Sequence, residues 1–409
     1  MAKILNLLKT VRNNWKKSVL GIAAFSYGIS YGKQTYDVEQ LMRQYCEDVA
    51  RYGDISCPTN VKPRHVTVIL NPVAKKRKAK KLFEKYCEPL LHLADAIIVA
   101  GGDGTLSDVT TGLMRKYEYN LRSVRQCPIG VLPLGSTNTI ASMFYQGYKD
   151  LAEIHHMIDA TMAIIKNNLK TIDAIEIKLL ENDPENPIKP VYAVAGIKLG
   201  VWSDTHARID KYWYWGSLRK YAAYVFSGYK SDLNWKCNAV MKYSKPCKGC
   251  SCCYSKELSY NQSTNLNRRW WHAFLPKKQT LVPDNHVDYS KIVNEDCGIF
   301  YEIPISTTEL CITTENVMNV LVQSLPSLKI ALGPENVSYT TFVEKGWKQE
   351  MNNELPVNAI LDAKDIELYP EIENNDRMFY IDHEEYELKP IQIKLLPQSI
   401  TIFCPESNR

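Results

Sequence analysis

The sequence predicts an α/β protein, with a parallel α/β layer in its amino-terminal half and a mostly antiparallel β domain behind it. Three observations carry this expectation. Short apolar runs at Val66–Leu70, Ala96–Ala100 and Ile129–Leu132 alternate with helical stretches, the pattern of a parallel sheet. Two of those runs end at once in glycine-rich turns, Gly101-Gly102-Asp103-Gly104-Thr105 and Pro133-Leu134-Gly135-Ser136-Thr137-Asn138. Beyond about Thr171 the texture changes to short β-like runs between turn residues, at Val191–Ala195, Leu310–Thr314, Val357–Leu361, Ile391–Leu395 and Ile400–Phe403.

Taken in order, residues 1–62 read as an arm and linker closed by Pro58 and Pro63. Lys3, Lys9, Arg12, Lys16 and Lys17 are basic, and no acidic residue precedes Asp37. Ile4, Leu8, Val11, Trp15 and Val19 recur at helical spacing, so a helix here has one apolar stripe and a basic flank. Import signals and interfacial membrane helices share this pattern; an ordinary surface helix is the plain alternative. The apolar run Val19–Tyr31 is diluted by Gly21, Ser26, Gly28 and Ser30 and is short for a membrane span. Residues 63–170 form the expected α/β domain. Asn71-Pro72 ends its first strand, a basic turn follows (Lys75, Lys76, Arg77, Lys78), and helices are expected to about His92 and over Leu106–Tyr117. Residues 171–409 form the expected β-rich domain, with a polar, cysteine-rich insert near 244–268.

Bulk properties narrow the class. A chain of 409 residues suits two domains, and 45% hydrophobic with 23% charged residues is globular composition. A net charge of +5 is compatible with anionic lipid or nucleotide and gives no indication of nucleic-acid binding. The 12 cysteines lack the regular spacing of a small secreted scaffold. Cys247, Cys250, Cys252 and Cys253 cluster tightly, at a spacing that could bind zinc, yet they lack a separated second pair and four tetrahedral ligands from so short a loop would be strained, which weighs against metal or disulfide use there.

The chemistry concentrates at the glycine turns. Ligands of open parallel sheets bind outside the carboxyl ends of the strands, where glycines let backbone N–H groups approach phosphate oxygens. A carboxylate in such a turn, Asp103, suits magnesium. No Walker A pattern is present: the nearest Gly-Lys, Gly32-Lys33, is followed by Gln34. The protein-kinase motif set is absent as well.

Strand–Gly-Gly-Asp-Gly-Thr–helix resembles the signature of the diacylglycerol kinase, sphingosine kinase and acylglycerol kinase superfamily. Asn71-Pro72 is similar to that superfamily's opening motif, and Pro133–Asn138 to its second glycine turn. Ile381-Asp382-His383-Glu384-Glu385 resembles its Asp-Gly-Glu catalytic motif, with His383 in place of glycine. Lys211-Tyr212-Trp213-Tyr214-Trp215-Gly216, together with Glu384–Glu387 and Lys394-Leu395-Leu396-Pro397, looks like the acylglycerol kinase branch.

The resemblance implies a three-layer catalytic α/β domain of the diacylglycerol-kinase type followed by an antiparallel β-sandwich. It also implies ATP as co-substrate and Mg2+ as cofactor. Asn71, Pro72, Lys75, Gly101, Gly102, Gly104, Thr105, Gly135, Ser136 and Asn138 would hold phosphates, with Lys76 and Lys78 as further candidates. Asp103 would organise the metal, and Asp382, assisted by Glu384, would take the proton of a lipid hydroxyl. The implied substrates are monoacylglycerol and diacylglycerol, phosphorylated at a membrane surface. The implied location is mitochondrial, at the inner membrane or intermembrane space. The same resemblance implies an alternative, a non-catalytic subunit of the inner-membrane carrier-import translocase. One departure stands out. About one βα unit of the superfamily's pattern, roughly 30 residues, is missing after residue 94, which leads us to expect weakened ATP binding.

Overall fold

The computed structural model describes residues 14–53, 66–88, 96–117, 120–145, 151–180, 188–230, 236–247, 250–251, 291–317, 325–352, 357–371 and 377–405. Most of the insert and the step after residue 88 therefore lie outside the described residues.

The first layer is a parallel sheet with helices on both faces. Strands β1 (Val66–Leu70), β2 (Ala96–Gly101) and β3 (Ile129–Pro133) pair in that order. Their side chains alternate between two cores. Ile98 and Ala100 face a cluster with Tyr86, Met157 and Ile164, whereas Val99 faces Leu106, Met114 and Ile172. The inner strands β2 and β3 are apolar because both faces are covered. The first of the two cores includes Val38 of the long helix α1 (Trp15–Gly53), while Val49 packs in a neighbouring cluster on Ile158 and Met162. The front of α1 has no such cover: Trp15, Leu20, Phe25 and Tyr31 are all exposed. Among the described residues no helix is long and apolar enough to cross a membrane.

The sheet does not stop at the first layer. The chain's final strand, β15 (Ile391–Phe403), returns to lie parallel to β3 through the Ile402–Ile129 pair. Its other partners, β4 (Leu169–Leu179) and β12 (Asp365–Pro370), are antiparallel. Two runs that look separate in sequence, Ile391–Leu395 and Ile400–Phe403, are thus one strand. An irregularity between Leu396 and Ile400 contains Pro397, which cannot donate to the ladder, and Gln398 at φ +46°. A second sheet of six strands, ordered β11 (Ala359–Ala363), β10 (Leu328–Leu332), β9 (Glu309–Thr314), β6 (Ile197–Gly200), β13 (Met378–Ile381) and β14 (Glu384–Glu387), packs on the antiparallel part of the first. The sandwich core lies between them and includes Ile177, Leu199, Met241, Ile330, Leu368 and Phe379.

Register aligns the ends that matter. Leu70 pairs with Ala100 and Gly101 pairs with Pro133. Asn71, Gly102 and Leu134 therefore leave the sheet along one line, at the carboxyl ends of the parallel strands. On the opposite flank of β1 no strand pairs among the described residues, and Val68 and Ile69 are 36% and 39% exposed.

Candidate active site

The two glycine turns meet each other. A Cβ on Gly135 would overlap the backbone of Gly102, and one on Gly102 would stand 2.7 Å from the Thr137 carbonyl. Asp103 N–H donates to that same carbonyl at 3.1 Å. The glycines are needed here for close approach of backbone to backbone, since none of these residues has a positive φ. Gly135→Ala is expected to push the turns apart at a cost of about 1–3 kcal/mol, visible as a lowered thermal midpoint; an unchanged midpoint would contradict the close packing.

Around this crossing the polar side chains fix the local geometry. Asn138 Oδ1 accepts from Gly135 N–H at 3.0 Å and its Nδ2 donates to the Gly135 carbonyl at 3.0 Å. Asn71 Nδ2 donates to Thr105 Oγ1 at 3.1 Å, which ties the end of β1 to the helix α2 (Asp103–Lys116). That helix begins three residues before the expected Leu106, because the glycine turn itself supplies its first turn. Asp103, 3% exposed, accepts from Thr139 N–H at 2.9 Å and from Ile140 N–H at 3.3 Å. It thereby caps the helix α3 (Thr139–Phe144) and locks the second turn to the first. Burial raises its pKa, and the two amide bonds and the Lys198 ammonium draw it back.

The acidic motif arrives from the other sheet. Ile381 pairs with Glu384, so Asp382 and His383 form the two-residue turn of a hairpin. Both have positive φ, +47° and +69°, as a type I′ turn requires. Glycine is the residue that takes such a φ without strain, and His383 adopts the conformation nonetheless. Asp382 is 1% exposed. Its Oδ2 accepts from Val194 N–H, and its Oδ1 from Ala195 and Gly196 N–H, each at 2.8 Å. Burial pushes its carboxyl up to about 7, and the neighbouring Asp103 adds to the shift. Glu384, by contrast, is exposed, and its carboxylate rests where a side chain on Gly104 would stand. Burial and the Asp108 carboxylate raise its pKa.

The structure thus brings Asp103, Asp382, Glu384, both glycine turns, Asn71, Thr105 and Asn138 into one place. Pro72 and Ser136 are exposed on its rim. Lys75 points elsewhere: its Nζ pairs with Glu153 at 2.5 Å. Further side chains complete the surroundings. His383 Nδ1 lies 3.4 Å from Asp103 Oδ2 without forming a hydrogen bond. Burial and Lys198 hold the His383 imidazole down at about 3, so the contact is not an ion pair near neutral pH. Its ring stands 5.7 Å from that of His206, whose Nδ1 meets Glu350 at 2.7 Å.

Fully buried Glu309 accepts from Trp202 N–H at 3.1 Å and from the Ser203 hydroxyl, and burial lifts its carboxyl to about 8. Because the folded pKa lies above the free value of 4.5, the stability it contributes is complete below that pH and is lost as pH rises through about 8. Thermal midpoints measured across this range should fall for the wild type and fall less steeply for Glu309→Gln, the remaining slope coming from Asp382; parallel curves would refute the assignment.

Comparison with known proteins identifies the family. Residues 61–177 match the diacylglycerol kinase catalytic domain, and residues 194–409 match the acylglycerol kinase C-terminal model. Mitochondrial acylglycerol kinase of Xenopus laevis is 31% identical, with 100% of this chain and 97% of the relative covered. The human protein of the same name is 31% identical over 98% and 97%. Among solved structures, a putative diacylglycerol kinase from Bacillus anthracis str. Sterne is similar at 15% identity and a TM-score of 0.46, covering 86% of this chain and 99% of that one. With its glycine turns inside the catalytic match and its acidic hairpin inside the C-terminal one, the chain belongs to the acylglycerol kinase family.

Proposed function

We propose that this protein is a magnesium- and ATP-dependent lipid kinase that phosphorylates the hydroxyl of monoacylglycerol and diacylglycerol, giving lysophosphatidic and phosphatidic acid. The observation that carries this reading is the convergence of Glu384, at the tip of the β13–β14 hairpin, on Gly104 in the glycine turn. One exposed carboxylate thereby stands beside a phosphate cradle of backbone amides. In-line phosphoryl transfer needs those two elements together with charge neutralisation.

The donor chemistry fits magnesium, a hard cation that takes oxygens from one or two carboxylates and from substrate phosphates. Glu384 offers the exposed carboxylate and Asp103 the buried one behind it. When bound, the ion supplies neutralisation of the phosphoryl charge. Glu384 is also the reachable acceptor for the lipid hydroxyl proton, since it is exposed while Asp382 is 1% exposed. Asp382 holds the 194–196 segment against the hairpin and so positions Glu384.

The lipid side of the reading rests on exposed aromatics. Trp213, Tyr214 and Trp215 are exposed, Trp213 at 69%, next to Arg219 and Lys220. Amphipathic rings flanked by cations suit a bilayer interface. The bare front of α1 supports attachment at the same membrane, and the relatives' printed names support a mitochondrial location.

A second reading, a non-catalytic subunit of an inner-membrane translocase, draws on the flank of β1. Its Val68 and Ile69 are exposed, and among the described residues no strand pairs on that flank, as a missing βα unit beside the glycine turns would leave it. The deciding experiment is lipid phosphorylation by the purified protein on vesicles containing monoacylglycerol, with and without a chelator. Chelator-sensitive product supports the kinase; no product together with no magnesium-dependent ATP binding overturns it in favour of the second reading.

A further inference from the structure

Three cysteine sulfurs converge far from the kinase site. Cys247 and Cys250 leave the end of β7 (Cys237–Ser244), and Cys297 precedes β8 (Phe300–Thr307), its antiparallel partner. The Sγ atoms of all three lie within 4.8 Å of one another, and all three are thiols. Cys250 is fully buried. The sequence alone disfavours a metal at this place, because Cys247–Cys253 offers no separated second ligand segment; the fold supplies one in Cys297.

We propose that Cys247, Cys250 and Cys297 form a structural zinc site that clamps the root of the β7–β8 insert. Tetrahedral Zn–S bonds of about 2.3 Å put sulfurs roughly 3.8 Å apart, so the observed spacing needs only a small contraction. A disulfide, with sulfurs about 2.05 Å apart, would use two of the three and leave one behind. Thiolate ligands select zinc over the hard cation of the kinase site. Each thiol releases one proton as its S–Zn bond forms, and no electron moves.

The surroundings are built for this role. Asn294 Nδ2 donates to Cys247 Sγ at 3.2 Å, the kind of hydrogen bond that orients a ligating sulfur. Ser251 N–H donates to the Ile292 carbonyl at 2.9 Å, which holds the two segments together, and Cys297 N–H donates to the Asn294 carbonyl at 3.2 Å, a turn that sets Cys297 beside them. The fourth position of the tetrahedron is not filled by a described residue. The zinc site is independent of the kinase reading, because the two share no residue.

The test is the metal content of the full-length protein purified without chelator. Elemental analysis should find about one zinc per chain, falling at least about tenfold in Cys250→Ser and in Cys297→Ser. Zinc should be retained in Cys46→Ser, which alters an exposed cysteine of α1. Should the two variants fail to fold, cobalt substitution of the wild type decides. Thiolate-to-cobalt bands indicating three or four sulfurs support the site; two or fewer sink it. Zinc-free wild-type protein, or a disulfide between two of the three cysteines found by mass spectrometry after alkylation, overturns the proposal.

Discussion

Asp103→Asn is expected to lower the turnover of monoacylglycerol with magnesium-ATP by about 10²–10³-fold, the usual cost of deleting one preorganised charge at a phosphoryl or oxyanion site. The substitution is nearly isosteric but chemically opposed to its surroundings. Both Asp103 oxygens accept backbone N–H bonds, from Thr139 and Ile140. An asparagine keeps one acceptor and turns an NH2 toward the other amide, which leaves a buried donor unpaired at about 1–3 kcal/mol. The thermal midpoint should therefore fall together with activity. A variant that keeps both its midpoint and its turnover would show that Asp103 neither organises the metal nor locks the glycine turns. A variant that loses stability but retains turnover at low temperature would leave only the structural role.

Glu384 and Asp382 should separate cleanly when each is changed to its amide. Glu384 is exposed beside Gly104, so Glu384→Gln should leave the folded state within about 0.5 kcal/mol of wild type. The same change removes the reachable proton acceptor, and kcat should drop by about 10²–10⁴-fold. Asp382 is buried, with three backbone amides on its carboxylate. Asp382→Asn must aim an NH2 at one of those donors, at a cost of about 1–3 kcal/mol, and it should impair activity through the displaced hairpin. Kinetics at a temperature where both variants remain folded, paired with calorimetric midpoints, tests the split. If Glu384→Gln turned over normally while Asp382→Asn were folded and inactive, the proton would have to pass through Asp382, and the two carboxylates would exchange roles.

The pH behaviour of the site follows from the same burial. The neutral His383 imidazole beside Asp103, held down at about 3, adds no positive charge to the cradle near neutrality. Lys198, on β6, is the cation whose charge acts on Asp103 and, within its own sheet, on Glu309 and His383. It lies in a strand with the ordinary alternation of buried and half-buried positions, and no spacing rule marks it.

Much of the α/β layer was legible from local pattern. Alternating apolar runs and helices mean a parallel sheet because a buried strand must be apolar on both faces, and Ile98 and Val99 bear this out by facing opposite cores. The glycine turns were legible because only glycine permits the close crossing of Gly102 and Gly135. The Asp382–Glu384 hairpin was legible through its resemblance to a known motif, not through its residue types, which read alone as a solvated acidic turn.

By itself, the sequence determined the three parallel strands and the glycine turns that end two of them, since periodicity and glycine are local properties of the chain. Tertiary structure alone decided what depends on residues far apart. It turned Ile391–Phe403 back into the first sheet, gave Asp382 its three amide partners and left Glu384 exposed. It sent Lys75 to Glu153 and carried Cys297 to Cys247 and Cys250. The physical reason is the same in each case: burial, hydrogen bonding and metal ligation are set by distance in space, and the pairing of strands from opposite ends of a chain is not written in any local run.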